Sequence, residues 1–218
     1  MNNDSLEKKY MEKSWSKEKH QSYKTDEVNK SIKDFYKFLK SKNVSGSLLD
    51  IGCGNGKNTI FFQKKGFNST GIDFAKAAIN ICKKNAKAEK VNPKFKVSSA
   101  LNYKSKEKFD VVIDCGCLHH IRRSFWNKYK RNLLKNLKVG GYFYIHGISH
   151  SKANQKFSKH PKKRNWIINS KKHYTTFFSY EDVKKLLGSK FKIEKHFEFK
   201  SKKSPLTVRA FYAKRIKI

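Results

Sequence analysis

Apolar positions along the chain alternate between two periods. Val28, Ile32, Phe35, Tyr36 and Leu39 recur at helical spacing, which predicts a first helix ended near Ser45-Gly46. Ser47 to Ile51 is a short apolar run that enters a glycine-rich turn, the pattern of a buried strand. Thr59, Ile60, Phe61 and Phe62 continue as a helix that stops at Gly66, and Phe67 to Ile72 reads as a second strand. Ala75 to Ala88 is helical, with Ala78, Ile79 and Cys82 on the inner side, and Phe95 to Ser99 is a third strand. Phe109 to Asp114 is apolar enough throughout to be a central strand of a parallel sheet. A helix over Ser124 to Leu137 follows, and Gly140-Gly141 is expected to turn the chain into a fifth strand, Tyr142 to Ile148. Strands alternating with helices predict an α/β, doubly wound fold.

Two segments depart from that rhythm. Residues 1–25 are polar, with Tyr10, Trp15 and Tyr23 as isolated aromatics; they read either as an arm or as a lid whose rings cover a ligand. His150 to His173 is polar and basic, carries Trp166, and reads as an insertion over about 150–174. The rhythm then returns. Ser179 can cap a helix, with Asp182 three residues on closing a weaker form of the capping box. Phe191 to Phe199 and Leu206 to Ile216 are expected to form an antiparallel pair at one edge, which brings the sheet to seven strands. The organisation predicted is an N-terminal arm or lid over 1–25 and one domain over 26–218.

Composition bounds the rest. With 218 residues the chain has material for one domain with a real core. No run approaches the roughly 20 apolar residues of a membrane span, and Met1 to Tyr10 has no apolar signal core, so a cytoplasmic protein without a membrane partner is expected. Its 4 cysteines, Cys53, Cys82, Cys115 and Cys117, are then free thiols. Cys115-Gly116-Cys117-Leu118-His119-His120 lacks the paired C-x-x-C spacing of zinc sites, so no metal is expected there. The formal charge of +34 suggests a polyanion partner. Nearly all of it is Lys, and Lys, Asn, Ile, Phe and Tyr share A/T-rich codons, so codon bias accounts for the pattern without selection for nucleic acid. Such a surface still attracts polyanions non-specifically at low salt.

The strongest chemical signal is Leu48-Leu49-Asp50-Ile51-Gly52-Cys53-Gly54-Asn55-Gly56. Glycines after the first strand let a ligand approach the backbone, because no Cβ intervenes. The dinucleotide fingerprint G-x-G-x-x-G would need glycine where Lys57 stands; the spacing here is G-x-G-x-G. Asp50 at the strand end suits a cationic ligand and would repel a pyrophosphate. Asp73 ends the second strand about 20 residues after the first glycine, where a carboxylate can accept from both hydroxyls of a ribose. Its plainer reading is a cap for the helix from Ala75.

Leu48 to Gly56, Gly71 to Phe74, Phe109 to Asp114 and Leu137-Lys138-Val139-Gly140-Gly141 together resemble the class I S-adenosylmethionine (SAM)-dependent methyltransferases, in the family's order and spacing. Gly56-Lys57-Asn58, with Gly71-Ile72-Asp73-Phe74 and Asp114-Cys115-Gly116-Cys117-Leu118-His119-His120, is similar to the tellurite-resistance and thiopurine-type branch, whose members act on small molecules. The resemblance implies a Rossmann-like fold with SAM as cofactor. The backbone of Gly52, Cys53, Gly54 and Gly56 would cradle methionine and ribose, and Asp50 would orient the amino group. Asp73 would hold the ribose hydroxyls, Phe74 would lie against adenine, and Ser99 and Ala100 would border it. Asp114 and Cys115 would face the methionine end and the methyl group. Many relatives carry an acidic residue near the end of the third strand, where this chain has Val97-Ser98-Ser99-Ala100; a serine hydroxyl is a weaker acceptor.

Methyl transfer needs alignment and a dry site, and a hydroxyl or amine acceptor also needs a base. His119 and His120, past the fourth strand, are the candidates; the alternative is that one of them binds a backbone carbonyl. Nothing in the sequence places a base beside Cys115 or Cys117. Trp15, Tyr23, Trp166, His173 and Tyr174 are candidate pocket walls. The function expected is methyl transfer to a small-molecule acceptor. An RNA or protein methyltransferase, or a non-catalytic basic module that grips nucleic acid, stands as the alternative. The Asp/Asn-Pro-Pro-Tyr/Phe block of base N-methylases is absent, and both monomer and homodimer are compatible with an antiparallel edge.

Overall fold

A computed structural model describes residues 3–16, 28–151, 166–168, 174–200 and 206–217. Strand β1 (Ser47–Ile51) is built as its sequence requires, with Leu48 on one face of the sheet and Leu49 and Ile51 on the other, and both faces covered. It pairs in parallel with β2 (Asn68–Asp73) and β4 (Phe109–Cys115). β3 (Lys94–Val97) adds to β2, and β5 (Leu137–Ile148) adds to β4, both in parallel. β9 (Thr207–Arg215) runs antiparallel between β5 and β8 (Phe191–Lys200), giving the seven-stranded order β3-β2-β1-β4-β5-β9-β8. The order reverses direction of growth between β1 and β4, and ligands bind outside the strand ends at such a switch point.

Helices cover both faces. On one, α2 (Lys30–Ser41) and α3 (Lys57–Lys64) bury Ile32, Phe35, Leu39 and Phe62 against Leu48, Val111, Ile113, Tyr144 and Tyr212. On the other, α5 (Trp126–Asn136) and α6 (Tyr180–Leu187) bury Tyr129, Leu133, Val183 and Leu187 against Leu49, Val112, Phe143, Ile145 and Phe211. α4 (Lys76–Ala88) turns Ala78, Ile79 and Cys82 inward, as its periodicity predicts. The capping box at α6 is complete: Asp182 N–H donates to Ser179 Oγ at 3.0 Å, and Ser179 N–H donates to Asp182 Oδ2 at 3.0 Å.

Three expectations change. Gly140-Gly141 does not precede the fifth strand: β5 already pairs at Leu137, and the ladder skips from Phe109↔Leu137 to Val111↔Tyr142. The extra residues bulge out, and a Cβ on Gly141 would meet the Asp110 carbonyl oxygen at 2.8 Å, so the glycine serves the bulge. The helix expected from Ser124 starts at Trp126, after a short 3₁₀ turn over Arg123–Phe125. The insertion is not wholly irregular, since β6 (Trp166–Ile168) and β7 (Tyr174–Thr176) pair antiparallel. At the N-terminus, α1 (Asn3–Trp15) packs on α4, where Glu12 Oε1 accepts from Ala77 N–H at 3.0 Å in the first turn. Among the described residues no helix is long and apolar enough to cross a membrane.

Candidate active site

The strand ends of β1, β2, β4 and β5 open into one cavity of about 640 Å³, within the range of small-molecule sites. Its floor is the turn after β1. Gly52 and Gly54 hold φ of +68° and +57°, a region that favours glycine. A Cβ on Gly52 would sit 2.6 Å from the Cys117 Cβ, and one on Gly54 would sit 2.9 Å from the Trp15 ring. The turn is therefore pressed between the segment after β4 and α1, with no room for side chains.

Of the residues singled out by sequence, Gly52, Cys53, Gly54, Asp73, Phe74, Ser99, Ala100, Cys115, His119 and His120 all line this cavity. Asp50, Gly56 and Asp114 do not; they stand one layer behind it. Gly56 precedes α3, and a Cβ there would meet Cys82 Sγ at 3.0 Å, so close helix packing accounts for it. Asp114 is turned toward α5, where its carboxylate accepts from Tyr129 Oη at 2.7 Å and from the Cys117 and Leu118 N–H groups at 2.7 and 3.1 Å. It thus shapes the turn that carries Gly116 and His119.

Asp50 is 0% exposed on the opposite face. Its Oδ2 accepts from Thr59 Oγ1 at 2.7 Å, while Oδ1 has no hydrogen-bond partner. Burial pushes its pKa up to about 7, and the negative charges of Asp114 and Asp73 add to that, against the Thr59 hydrogen bond. An orphaned buried carboxylate oxygen is costly unless a cation or donor completes it.

Asp73 takes the plainer of its two readings at the start of α4 and also ties down the glycine turn. Oδ1 accepts from Ala75 N–H at 2.9 Å at the start of α4, and Oδ2 accepts from Gly54 N–H at 3.1 Å, tying the glycine turn to β2. A carboxylate has about four acceptor sites, so it can still take a ligand hydroxyl from the cavity. Burial lifts its pKa to about 6, opposed by those two N–H groups. Asp114 is likewise raised to about 6 by burial, against the Tyr129 hydroxyl and the backbone N–H groups of Cys117, Leu118 and Gly116.

Ser99 Oγ accepts from Leu101 N–H at 3.2 Å, so its hydroxyl shapes the turn after β3. Asn102 and Val97, the latter 50% exposed, line the same end of the cavity beside Phe74. Asn102 brings an amide group to this end of the cavity, a contribution that the strand-end pattern alone did not mark.

Past β4 the cavity is lined by His119, His120, Ile121, Arg122, Phe125, His146 and Tyr174. The rings of His119 and His120 lie 3.9 Å apart. His120 Nδ1 donates to the Tyr174 carbonyl at 3.3 Å, so this histidine also anchors β7, the backbone-carbonyl alternative. His146 was missed in sequence. It lies on β5 opposite Cys115, with Nδ1 2.9 Å from the Tyr144 hydroxyl. Burial, with nearby Lys57, lowers its pKa to about 4, so it is neutral at neutral pH. Its only sequence signal was position, at the same sheet edge as the glycine turn. Burial pushes the thiols of Cys53, Cys115 and Cys117 well up, which disfavours thiolate chemistry. Of the candidate walls, Trp15 and Tyr174 line the cavity. Tyr23 and His173 lie outside the described residues, as does the side chain of Trp166.

Comparison with known proteins bears on this arrangement. A family model described as a methyltransferase domain matches residues 42–200. The ubiquinone biosynthesis O-methyltransferase of Pelagibacter ubique is 36% identical over 106 residues, 48% of this chain and 44% of that protein. Human EEF1A lysine methyltransferase 2 is 35% identical over 111 residues, 47% of each chain. The chain thus spans about half the length of the curated relatives it matches. Among solved structures, the 1,6-didemethyltoxoflavin-N1-methyltransferase of Burkholderia thailandensis, with bound 1,6-didemethyltoxoflavin and S-adenosylhomocysteine, superposes with a TM-score of 0.78 at 18% identity, covering 98% of this chain and 89% of that one. With the family model covering most of the chain, and a doubly wound sheet whose glycine turn, Asp73 and cavity share one edge, the chain belongs to the methyltransferase domain family, within the class I SAM-dependent methyltransferases.

Proposed function

We propose that this chain transfers a methyl group from SAM to a small-molecule acceptor. One observation carries the reading: a single cavity is lined by Asp73 and Phe74, by the glycine turn, and by the histidines and aromatics past β4. A cofactor held by the first group would present its reactive atom to the last. The residues suit SAM in particular. Gly52 and Gly54 line the cavity at the turn, and Asp50 offers a buried, incompletely bonded carboxylate behind that turn, the complement of a cationic ligand.

When bound, SAM supplies a methyl group already activated on a sulfonium. The chain contributes alignment. Asp73 and Gly54, joined by their hydrogen bond, would hold the ribose side, and Asp50 would favour the positive end from behind the turn. Met11 and Trp15 of α1 line the cavity beside the turn, where they would exclude water from a bound cofactor, which supports the lid reading of the N-terminal segment. His119, His120 and His146 offer imidazole nitrogens around the acceptor chamber, where His119 is the candidate for taking a proton from a hydroxyl acceptor.

Calorimetric titration with SAM and S-adenosylhomocysteine tests the reading. Micromolar binding of both is expected, weakened at least about tenfold in Asp73→Ala. Absence of binding to either ligand would sink it. A protein acceptor is the second reading, supported by the likeness to a lysine methyltransferase.

A further inference from the structure

The acceptor chamber is one-sided in charge. The charged side chains that line the cavity are Lys57 and Arg122 and, among the described residues, a single carboxylate, Asp73, which belongs to the cofactor end. The Arg122 guanidinium lies over the Tyr174 ring, 5.3 Å from its centroid, which fixes a permanent cation on a flat aromatic wall. No carboxylate among the described residues forms an ion pair with Arg122. Ile121 and Phe125 supply apolar surface beside it. Across the chamber, His119 Cε1 and His146 Nε2 stand 3.0 and 3.9 Å from where a Cβ on Gly116 would be, so two imidazoles flank the point where β4 opens into the cavity.

We infer that the acceptor is a small planar organic anion, a phenolate or carboxylate, recognised by Arg122 through its negative oxygen. This rests on the methyltransferase reading and narrows it. An ammonium acceptor would enter beside Arg122 and beside a sulfonium, and among the described residues Asp73 is the one carboxylate that lines the cavity, with Asp50 and Asp114 standing behind it. An anion is attracted by both cations. The transfer then cancels charge: the acceptor oxygen's lone pair forms the new C–O bond, the C–S pair stays on sulfur, and no proton has to leave. The chamber therefore argues against the lysine side chain as substrate.

The test uses benzoate, benzamide and benzylamine, matched in shape and carrying charges of −1, 0 and +1. Each is titrated into the full chain at roughly physiological ionic strength, with and without saturating S-adenosylhomocysteine. Benzoate is expected to bind about tenfold or more tighter than benzamide, with benzylamine weakest. Arg122→Gln, which removes one charge of a large surplus, is expected to bring benzoate and benzamide within about twofold of each other. Arg122→Lys, with its melting temperature checked, is expected to keep part of the preference. Benzylamine binding as tightly as benzoate, no measurable benzoate binding, or a benzoate preference that survives in Arg122→Gln would overturn the inference; the last would mean that net charge alone attracts the anion. Failure of S-adenosylhomocysteine to bind would instead overturn the methyltransferase reading, and the titrations without it still decide the charge preference.

Discussion

Asp50→Asn perturbs a buried charge while keeping its shape. The carboxylate is completely buried, accepts from Thr59 through Oδ2 and leaves Oδ1 without a partner. Burial lifts its pKa from 3.8 to about 7, so ionised Asp50 at pH 8 costs the fold about 4 kcal/mol. The sign follows from which state holds the proton. Between about pH 4 and 7 the folded chain keeps a proton that the unfolded chain has lost, so the contribution of Asp50 is fully present below the ordinary value and is lost as pH rises through about 7. Asparagine retains an acceptor for the Thr59 hydroxyl and never ionises, but its new N–H groups need partners, at a cost of about 1–3 kcal/mol. The variant should then be more stable than the wild type at pH 8 by roughly 1–3 kcal/mol, a rise in Tm on the order of 5 °C for a chain of this size. The gain should disappear near pH 4.5, where Asp50 is protonated. SAM affinity should fall by about tenfold to a hundredfold, because a charged partner is replaced by a neutral one. Paired thermal melts at the two pH values, with calorimetry for the cofactor, decide it. A variant less stable than wild type by the same margin at both pH values would refute the claim that Asp50 is held there at a cost the ligand offsets.

Other outcomes follow from the same site. SAM binding should tighten between about pH 5.5 and 7.5 and release protons, because Asp50 and Asp73, raised to about 7 and about 6, meet a cation best when ionised; calorimetry in buffers of different ionisation enthalpy counts the protons, and a flat profile would contradict it. Tyr129→Phe removes a 2.7 Å hydrogen bond to buried Asp114 and should cost about 1–3 kcal/mol in urea unfolding, with little change if that bond were dispensable. Gly54→Ala, at φ +57° and 2.9 Å from the Trp15 ring, should cost about 1 kcal/mol or more and weaken SAM binding. In a double-mutant cycle Trp15→Ala should recover part of that loss, whereas strict additivity would show that α1 does not press on the turn.

Much of this architecture was legible in order. Ser47–Ile51 and Phe109–Asp114 are short apolar runs closed by polar or glycine residues, and the helices between them repeat their apolar positions at three and four residues. Both are local properties, so strand and helix alternation, the capping box at Ser179 and the antiparallel pair at the C-terminus could be read directly. Gly140 and Gly141 misled for a physical reason: glycine marks a bulge as readily as a turn, and only pairing with β4 distinguishes them. The start of α5 was misplaced by two residues because the 3₁₀ turn at Arg123–Phe125 satisfies similar spacing.

For the site, the sequence by itself determined the glycine turn and the acids at the ends of β1 and β2, since close backbone approach demands glycine and a polar strand end demands a reason. Which of those groups face the cavity was decided by tertiary structure. A strand turns alternate side chains to opposite faces, so Asp50 and Asp114 went to different helical layers while the backbone between them formed the floor. Trp15 met Gly54, His146 met the space beside Gly116, and Arg122 came to lie over Tyr174, residues 39, 30 and 52 positions apart that no local pattern links. Periodicity reports which side of an element is apolar; it carries no information about which element from elsewhere in the chain will cover it, because that depends on how the whole sheet twists and closes its layers.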